Sequence, residues 1–300
     1  MIRYGYACIN TVLKEKGITI GRAMQYKKFS EKGLSLCGDI ALSNINDMLE
    51  ILKWNKANSI EVYRMSSDMV PWNSEYDIEE LPNFALVKKA LINAGDYATG
   101  NNMRLSFHPG PFNCLGSGYA TIVNKTIAEL NKHAKLMDIM GLPRSHMAKI
   151  NIHIGGAYGD KIAALNRFAK NFPKLDEGVR SRLTLENDDR ASMFGVLDLY
   201  SLYKAIKTPI VFDGHHFSVG AKNDLSYEEA YSLAYSTWGC TPTFHWSNSK
   251  KDIEGGTNSI TAHSDYYKTS MPILDLGSLD IILEAKMKEQ ALIKYIKDFA

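Results

Sequence analysis

Histidines and carboxylates recur in this chain at one kind of place, the polar end of a short apolar run. RLSFH ends at His108, KINIH at His153, RLTLE at Glu186, PIVFDGHH at Asp213 with His215 and His216, TPTFH at His245, and DIILE at Glu284. Taken singly, a histidine after a strand is an ordinary hydrogen-bonding residue. Six such ends in succession are another matter, because burying that many polar groups together without a common partner is costly. Imidazole mixed with carboxylate suits a divalent transition metal such as zinc, manganese or iron(II), and so many donors imply more than one ion. Paired ions clamp the attacking and leaving oxygens of a phosphodiester and supply hydroxide at neutral pH. The chemistry expected is metal-assisted hydrolysis with no side-chain nucleophile.

The elements that position these residues repeat. Strand-like runs lie at 3–9, 59–66, 104–109, 149–155, 182–187, 209–214, 241–246 and 280–285. Between most of them the apolar residues take helical spacing. Leu42, Ile45, Leu49 and Leu52 share a face of 41–56, as do Ile127, Leu130, Ala134 and Met137 of 119–140, and Leu292, Tyr295, Ile296 and Phe299 of the last helix. Strand then helix, about eight times, is what a (β/α)8 TIM barrel requires, and its C-terminal strand ends converge on one mouth. An open doubly wound sheet is disfavoured because no glycine-rich phosphate turn follows a strand. No linker breaks the series, so residues 1–300 are expected to form a single α/β barrel domain with a metal cluster at the C-terminal face.

Composition narrows the class. A formal charge of +2 over 300 residues, with 45% hydrophobic content, does not mark a general nucleic-acid binder. Any polyanion site must be local or borrow charge from metal. The segment from Thr11 to Gly33, expected to overhang the mouth as a loop, carries Lys14, Lys16, Arg22, Lys27, Lys28 and Lys32 against Glu15 and Glu31, with Tyr26 and Phe29 interleaved. Backbone phosphates suit such a segment. The long connection 247–267 takes the place of a seventh helix and brings His263 toward the mouth. Four scattered cysteines read as free thiols in a reducing compartment. No apolar run spans a bilayer and no leader-like segment opens the chain, so a soluble, intracellular monomer is expected.

Nine stretches, in order along the chain, resemble one family: RYGYACIN, YRMSSDMVPW, RLSFHPG, NIHIGGAYGDK, LENDD, VFDGHH, FHWS, AHSDY and IILEAKMKEQA. They resemble the UV damage endonucleases, barrel enzymes with a divalent-metal cluster at the mouth. The resemblance implies a DNA-repair endonuclease acting on damaged double-stranded DNA. It would cut 5′ of cyclobutane dimers, 6-4 products and in some cases abasic sites, leaving 3′-hydroxyl and 5′-phosphate. It implies His108, His153, Glu186, Asp213, His216, His245, His263 and Glu284 as ligands of two or three ions, manganese first, with zinc, magnesium or cobalt as alternatives. Glu186 would bridge. Strand alternation favours His215 beside Asp213, whereas the family pattern takes His216 and leaves His215 outside the ligand set; Gly214 would permit the necessary turn. Asn187, Asp188 and Asp189 would accept from the outer N–H of coordinated histidines, with helix capping as the other reading of Asp189. Lys286, sharing parity with Glu284, would contact a phosphate as a catalytic residue. Tyr6 and Asn10 would probe the lesion or the opposite strand, with Pro111, Phe112, Lys27 and Lys28 also on the DNA.

Two departures stand out. After the HPG turn many relatives have Gln-Tyr where this chain has Pro111-Phe112, and on the seventh strand relatives carry a lysine two residues before the histidine where this chain has Thr243. Two other readings share the barrel: a metal-dependent sugar isomerase or epimerase, and a lesion-binding protein without turnover. A repair enzyme would work in the cytoplasm at the nucleoid of a prokaryote, or in the nucleus of a eukaryote.

Overall fold

Eight short strands form the centre of the computed structural model, which describes all residues from Met1 to Ala300. They are β1 (Ile2–Ala7), β2 (Val62–Arg64), β3 (Arg104–Ser106), β4 (Ile150–Ile152), β5 (Leu183–Glu186), β6 (Ile210–Val211), β7 (Thr243–Trp246) and β8 (Leu279–Leu283). All the pairings are parallel, in the orders β3-β2-β1-β8-β7 and β4-β5-β6. Two single bridges close the ring, Phe107 to Ile150 and Asp213 to His245. The second seam therefore lies between two of the expected metal ligands.

Around the barrel run α1 (Thr11–Lys14), α2 (Tyr26–Ala57), α3 (Phe84–Gly100), α4 (Ala120–Ile139), α5 (Lys161–Asn171), α6 (Glu177–Arg180), α7 (Val196–Ile206), α8 (Gly214–Val219), α9 (Tyr227–Tyr235), α10 (Lys250–Glu254) and α11 (Lys288–Phe299). After β7 there is only the five-residue α10, so the long connection does replace a full helix. The basic segment 11–33 is not one loop. It contains α1 and the opening turns of α2, which breaks at Gly33, where φ is 58°. The buried side of α11 is Ala291, Leu292 and Tyr295; Ile296 and Phe299 are exposed, so the expected face is rotated toward Ala291.

Strand alternation divides the molecule into two environments. One set of side chains, including Tyr6, Tyr63, Leu105, Phe107, Ile150 and Ile152, packs in the main apolar core with the helices. The inner set is largely polar. Ala7, Val62 and Ile282 make a small separate apolar cluster, while Arg104, Lys149, Asn151, Thr184, Thr243 and Asp280 are buried. Arg104 pairs with Asp280 at 2.8 Å, and Arg3 forks onto the same carboxylate with two bonds of 2.7 Å.

This division corrects the expectation for Tyr6 and Asn10. Both are fully buried. The Tyr6 hydroxyl donates to Asn55 Oδ1 on α2 at 2.7 Å and accepts from Asn10 Nδ2 at 3.0 Å. Asn10 Oδ1 caps α1 through Leu13 N at 2.9 Å. Neither side chain offers surface to a duplex, because the parity that sends Ala7 inward sends Tyr6 toward the helices. Tyr6→Phe is expected to lower unfolding free energy by about 1–3 kcal/mol, the cost of orphaning buried amide groups, with lesion binding unchanged. Chemical denaturation beside a binding titration checks both.

Candidate metal centre at the barrel mouth

Six of the eight expected ligands sit at or just past a strand end, while His216 lies in α8 and His263 in the connection after β7. Glu186 is the last residue of β5 and His245 lies within β7. His153 and Glu284 directly follow β4 and β8, while His108 and Asp213 follow β3 and β6 by two residues. Their ligand atoms fall into three compact sets: His108, Glu186 and His245; His153, Glu186 and His216; and Asp213, His245 and Glu284, each within 4.8 Å. Glu186 belongs to two sets and His245 to two, so the sets interlock.

Glu186 is the hub. Its Oε2 lies 3.0 Å from both His108 Nε2 and His245 Nδ1. Oε1 faces His216 Nδ1 at 3.2 Å and His153 Nε2 at 4.0 Å. Asn151 Nδ2 donates to Oε2, and Thr184 Oγ1 donates to Asn151 Oδ1 at 2.9 Å, so a buried relay from β4 and β5 orients the carboxylate. Burial opposes ionisation of Glu186, but His245, His153 and His108 outweigh it and hold the carboxyl well below its usual range. Glu284 is likewise held low against burial, chiefly by Arg64 and His245.

Whether these residues fit metal ions can be tested on their unmet polar atoms. Glu186 Oε1, Asp213 Oδ2, His153 Nδ1 and His245 Nδ1 are buried and lack hydrogen-bond partners. His245 Nδ1 lies 3.0 Å from Glu186 and 3.2 Å from Glu284 without hydrogen-bond alignment. Close, misaligned and desolvated nitrogen and oxygen donors are costly alone and suited to a shared cation. The donor set fits.

The Asp213-Gly214-His215-His216 stretch is decided by a change of backbone. β6 ends at Val211 and α8 begins at Gly214, with Asp213 as its N-cap, accepting from His216 N at 2.8 Å. Past Asp213 the period is helical, so positions 213 and 216 share a face. His216 joins the Glu186 set, whereas His215 Nε2 lies 3.3 Å from the Thr261 carbonyl and its ring packs 5.5 Å from that of His263. Gly214 is needed for a different reason from the one expected. Its φ is not positive, but a Cβ there would lie 2.7 Å from the Trp246 ring. Gly214→Ala is expected to cost about 1–3 kcal/mol through overpacking and to loosen metal retention, read by thermal melting with and without chelator.

Other expectations fare unevenly. His263 Nε2 lies 3.9 Å from Glu284 Oε2 and its Nδ1 is 2.6 Å from Ser247 Oγ, so it borders the third set without belonging to it. Asn187 uses its side chain on the Asp213 backbone, donating to O at 3.0 Å and accepting from N at 2.9 Å; its own carbonyl meets His216 Nδ1 at 3.0 Å. It braces the β5–β6 seam rather than holding a histidine by its amide. Asp188 Oδ1, at 3.4 Å, is the carboxylate beside His153 Nδ1. Asp189 caps nothing, since Gly195 is the N-cap of α7. Lys286 is exposed, because β8 ends at Leu283 and strand parity stops there. Lys288 is partly buried, and that burial pushes its ammonium down against the opposing pull of Glu284. Lys27, Lys28, Pro111 and Phe112 are exposed, Phe112 by 87%.

Three cationic or polar residues of the inner face were missed. Arg64 pairs with Glu284. Asn151 holds Glu186, as above. Lys149 places Nζ 3.2 Å from His245 Nε2, and burial pushes its ammonium down to about 7. Thr243 Oγ1 is buried and unpartnered, and the lysine beside His245 comes from the residue preceding β4. The signal was parity: 149 and 151 alternate inward with His153, and 243 with His245.

The sequence matches the UV-endonuclease UvdE family over residues 2–300. The chain belongs to that family. A protein of Acanthamoeba polyphaga mimivirus, provisionally named a UV-damage endonuclease, is 31% identical over 311 residues, covering 100% of this chain and 92% of its own. The UV DNA damage endonuclease of Clostridium perfringens is 31% identical over 304 residues, covering 98% of this chain and 70% of its own. The solved structure of SacUVDE is 29% identical, covers 99% of this chain and 97% of that one, and superposes with a TM-score of 0.85.

Proposed function

We propose that this UvdE-family chain is a DNA-repair endonuclease that hydrolyses the phosphodiester 5′ of UV photoproducts, leaving 3′-hydroxyl and 5′-phosphate ends. The observation that carries this reading is the interlocking of three ligand sets through Glu186 and His245, together with family membership. Two or three divalent ions, manganese first, would be held by His108, His153, Glu186, Asp213, His216, His245 and Glu284, with His263 completing the Glu284 side. Bound there, such ions polarise a phosphodiester and lower the pKa of water toward neutrality. The chain's own part is to fix the ligands. Glu186 presents its two oxygens to different histidines, Asn151 and Thr184 hold that carboxylate, Asn187 braces Asp213, and Arg64 holds Glu284.

The substrate is damaged double-stranded DNA. Lys27 and Lys28 stand exposed at the start of α2 beside Tyr26, whose ring meets Trp72 at 5.4 Å, and this basic, aromatic rim suits backbone phosphates and bases. Phe112, exposed on the loop after β3, keeps a ring for wedging where an amide and a hydroxyl are absent. No helix is long and apolar enough to cross a membrane. The enzyme acts as a monomer wherever the chromosome lies. Irradiated and unirradiated supercoiled plasmid, incubated with the protein and manganese, test the reading. Nicking confined to irradiated DNA and abolished by chelator is expected; equal nicking of both, or none, overturns it.

A further inference from the structure

The NIHIGGAYGDK stretch contributes His153 to the metal centre, but its tyrosine has no part in that chemistry. Tyr158 is 60% exposed and sits at φ 46°, a left-handed conformation that a bulky L-residue adopts only when its surroundings impose it. The surroundings are visible. The Arg167 guanidinium lies 5.9 Å from the ring centroid and is itself tied to the Gly116 and Gly156 carbonyls by bonds of 2.8 Å. The Tyr158 hydroxyl is 3.1 Å from Ser117 Oγ, and Tyr119, 63% exposed, meets it edge-on at 5.8 Å. The two loops touch closely enough that a Cβ at Gly156 would come within 2.9 Å of the Gly116–Ser117 backbone.

An exposed ring held this firmly, with a second ring edge-on beside it, is preorganised for a flat, apolar face, and its place indicates whose. Gly155 and Gly156, just ahead of Tyr158, line a cavity of about 430 Å³ together with His153, His216 and Arg190. A strand leaving the metal centre along that cavity would pass the glycines two residues before Tyr158, where Arg190 and Arg167 stand against the Asp188 and Asp189 carboxylates. We infer that Tyr158 and Tyr119 form a stacking platform for a base of the DNA strand beside the lesion, a binding site that positions substrate without touching the reacting atoms. The inference rests on the endonuclease reading for its substrate and deepens it. Stacking on an aromatic ring tolerates any base, so the platform adds affinity without sequence preference.

The test uses the whole protein with manganese and a duplex carrying one cyclobutane dimer, with 5-iodouracil substituted at successive flanking positions for photocross-linking. A cross-link to Tyr158 or Tyr119 from one or two adjacent positions is expected. Tyr158→Leu should raise KM on the order of tenfold, the loss of one stacking contact, with kcat unchanged, while Tyr158→Phe retains the wild-type KM. Should Tyr158→Leu fold poorly, Tyr119→Leu and the wild-type cross-linking map still decide. Unchanged KM in the folded leucine variants, or cross-links that avoid both tyrosines at every position, overturns the platform. Wild-type protein that cross-links through these rings but never cuts overturns the endonuclease reading and keeps the platform.

Discussion

Glu186→Gln is expected to lower lesion-dependent incision by about three orders of magnitude, with far-ultraviolet circular dichroism and duplex binding little changed. The substitution keeps size and leaves an amide oxygen for Asn151, so the relay from Thr184 survives. What is lost is the charge that both the His108–His245 and the His153–His216 sets share. Metal-derived stabilisation of developing charge is worth several kcal/mol, and each tenfold in rate corresponds to about 1.4 kcal/mol. Metal content, measured on the same preparation, should fall with activity. An active, metal-replete Glu186→Gln protein would mean that the hub lies elsewhere.

The second large effect separates two adjacent histidines. His216→Ala is expected to weaken metal binding by at least about 100-fold, since even removing groups that merely orient a ligand costs 10–100-fold, and to abolish most incision. His215→Ala should change incision only a few-fold. It removes a weak bond to the Thr261 carbonyl and a ring contact with His263, so its main cost is stability, about 1–3 kcal/mol for a buried truncation. Parallel metal titrations of the two variants, with their melting curves, distinguish the roles. Equal loss in both would place the pair in one shell and contradict the helical reading of α8.

Much of the barrel was legible because its strands are bounded apolar runs and its helices carry a clear period. All eight strands occur where expected, though shorter, since hydrogen-bonded pairing ends before the apolar pattern does. The ligand ends were legible for the same reason: His108, His153, Glu186, His245 and Glu284 are the polar stops of those runs. Alternation failed where the backbone stopped being a strand. At Asp213 it turns helical, which selects His216, and after Leu283 it gives no licence to point Lys286 inward. Tyr6 failed for the opposite reason. It is within a regular strand, and the parity that places Ala7 inside the barrel should have placed Tyr6 against α2. Arg64, Lys149 and Asn151 went unread because a charged or amide residue inside a strand looks like a solvent-facing one until the barrel's polar interior is recognised. Extending inward parity back from His153 would have found Lys149 and Asn151.

At issue above all is whether the metal centre at the mouth cuts DNA beside a UV lesion. It is tested most directly by mapping the product from an end-labelled duplex with a single cyclobutane dimer, in manganese and in chelator. One cut immediately 5′ of the dimer is expected, on the damaged strand alone, with a 3′-hydroxyl that a polymerase extends, and none in chelator. Cutting that persists without metal, falls elsewhere, or leaves a blocked 3′ end would contradict it.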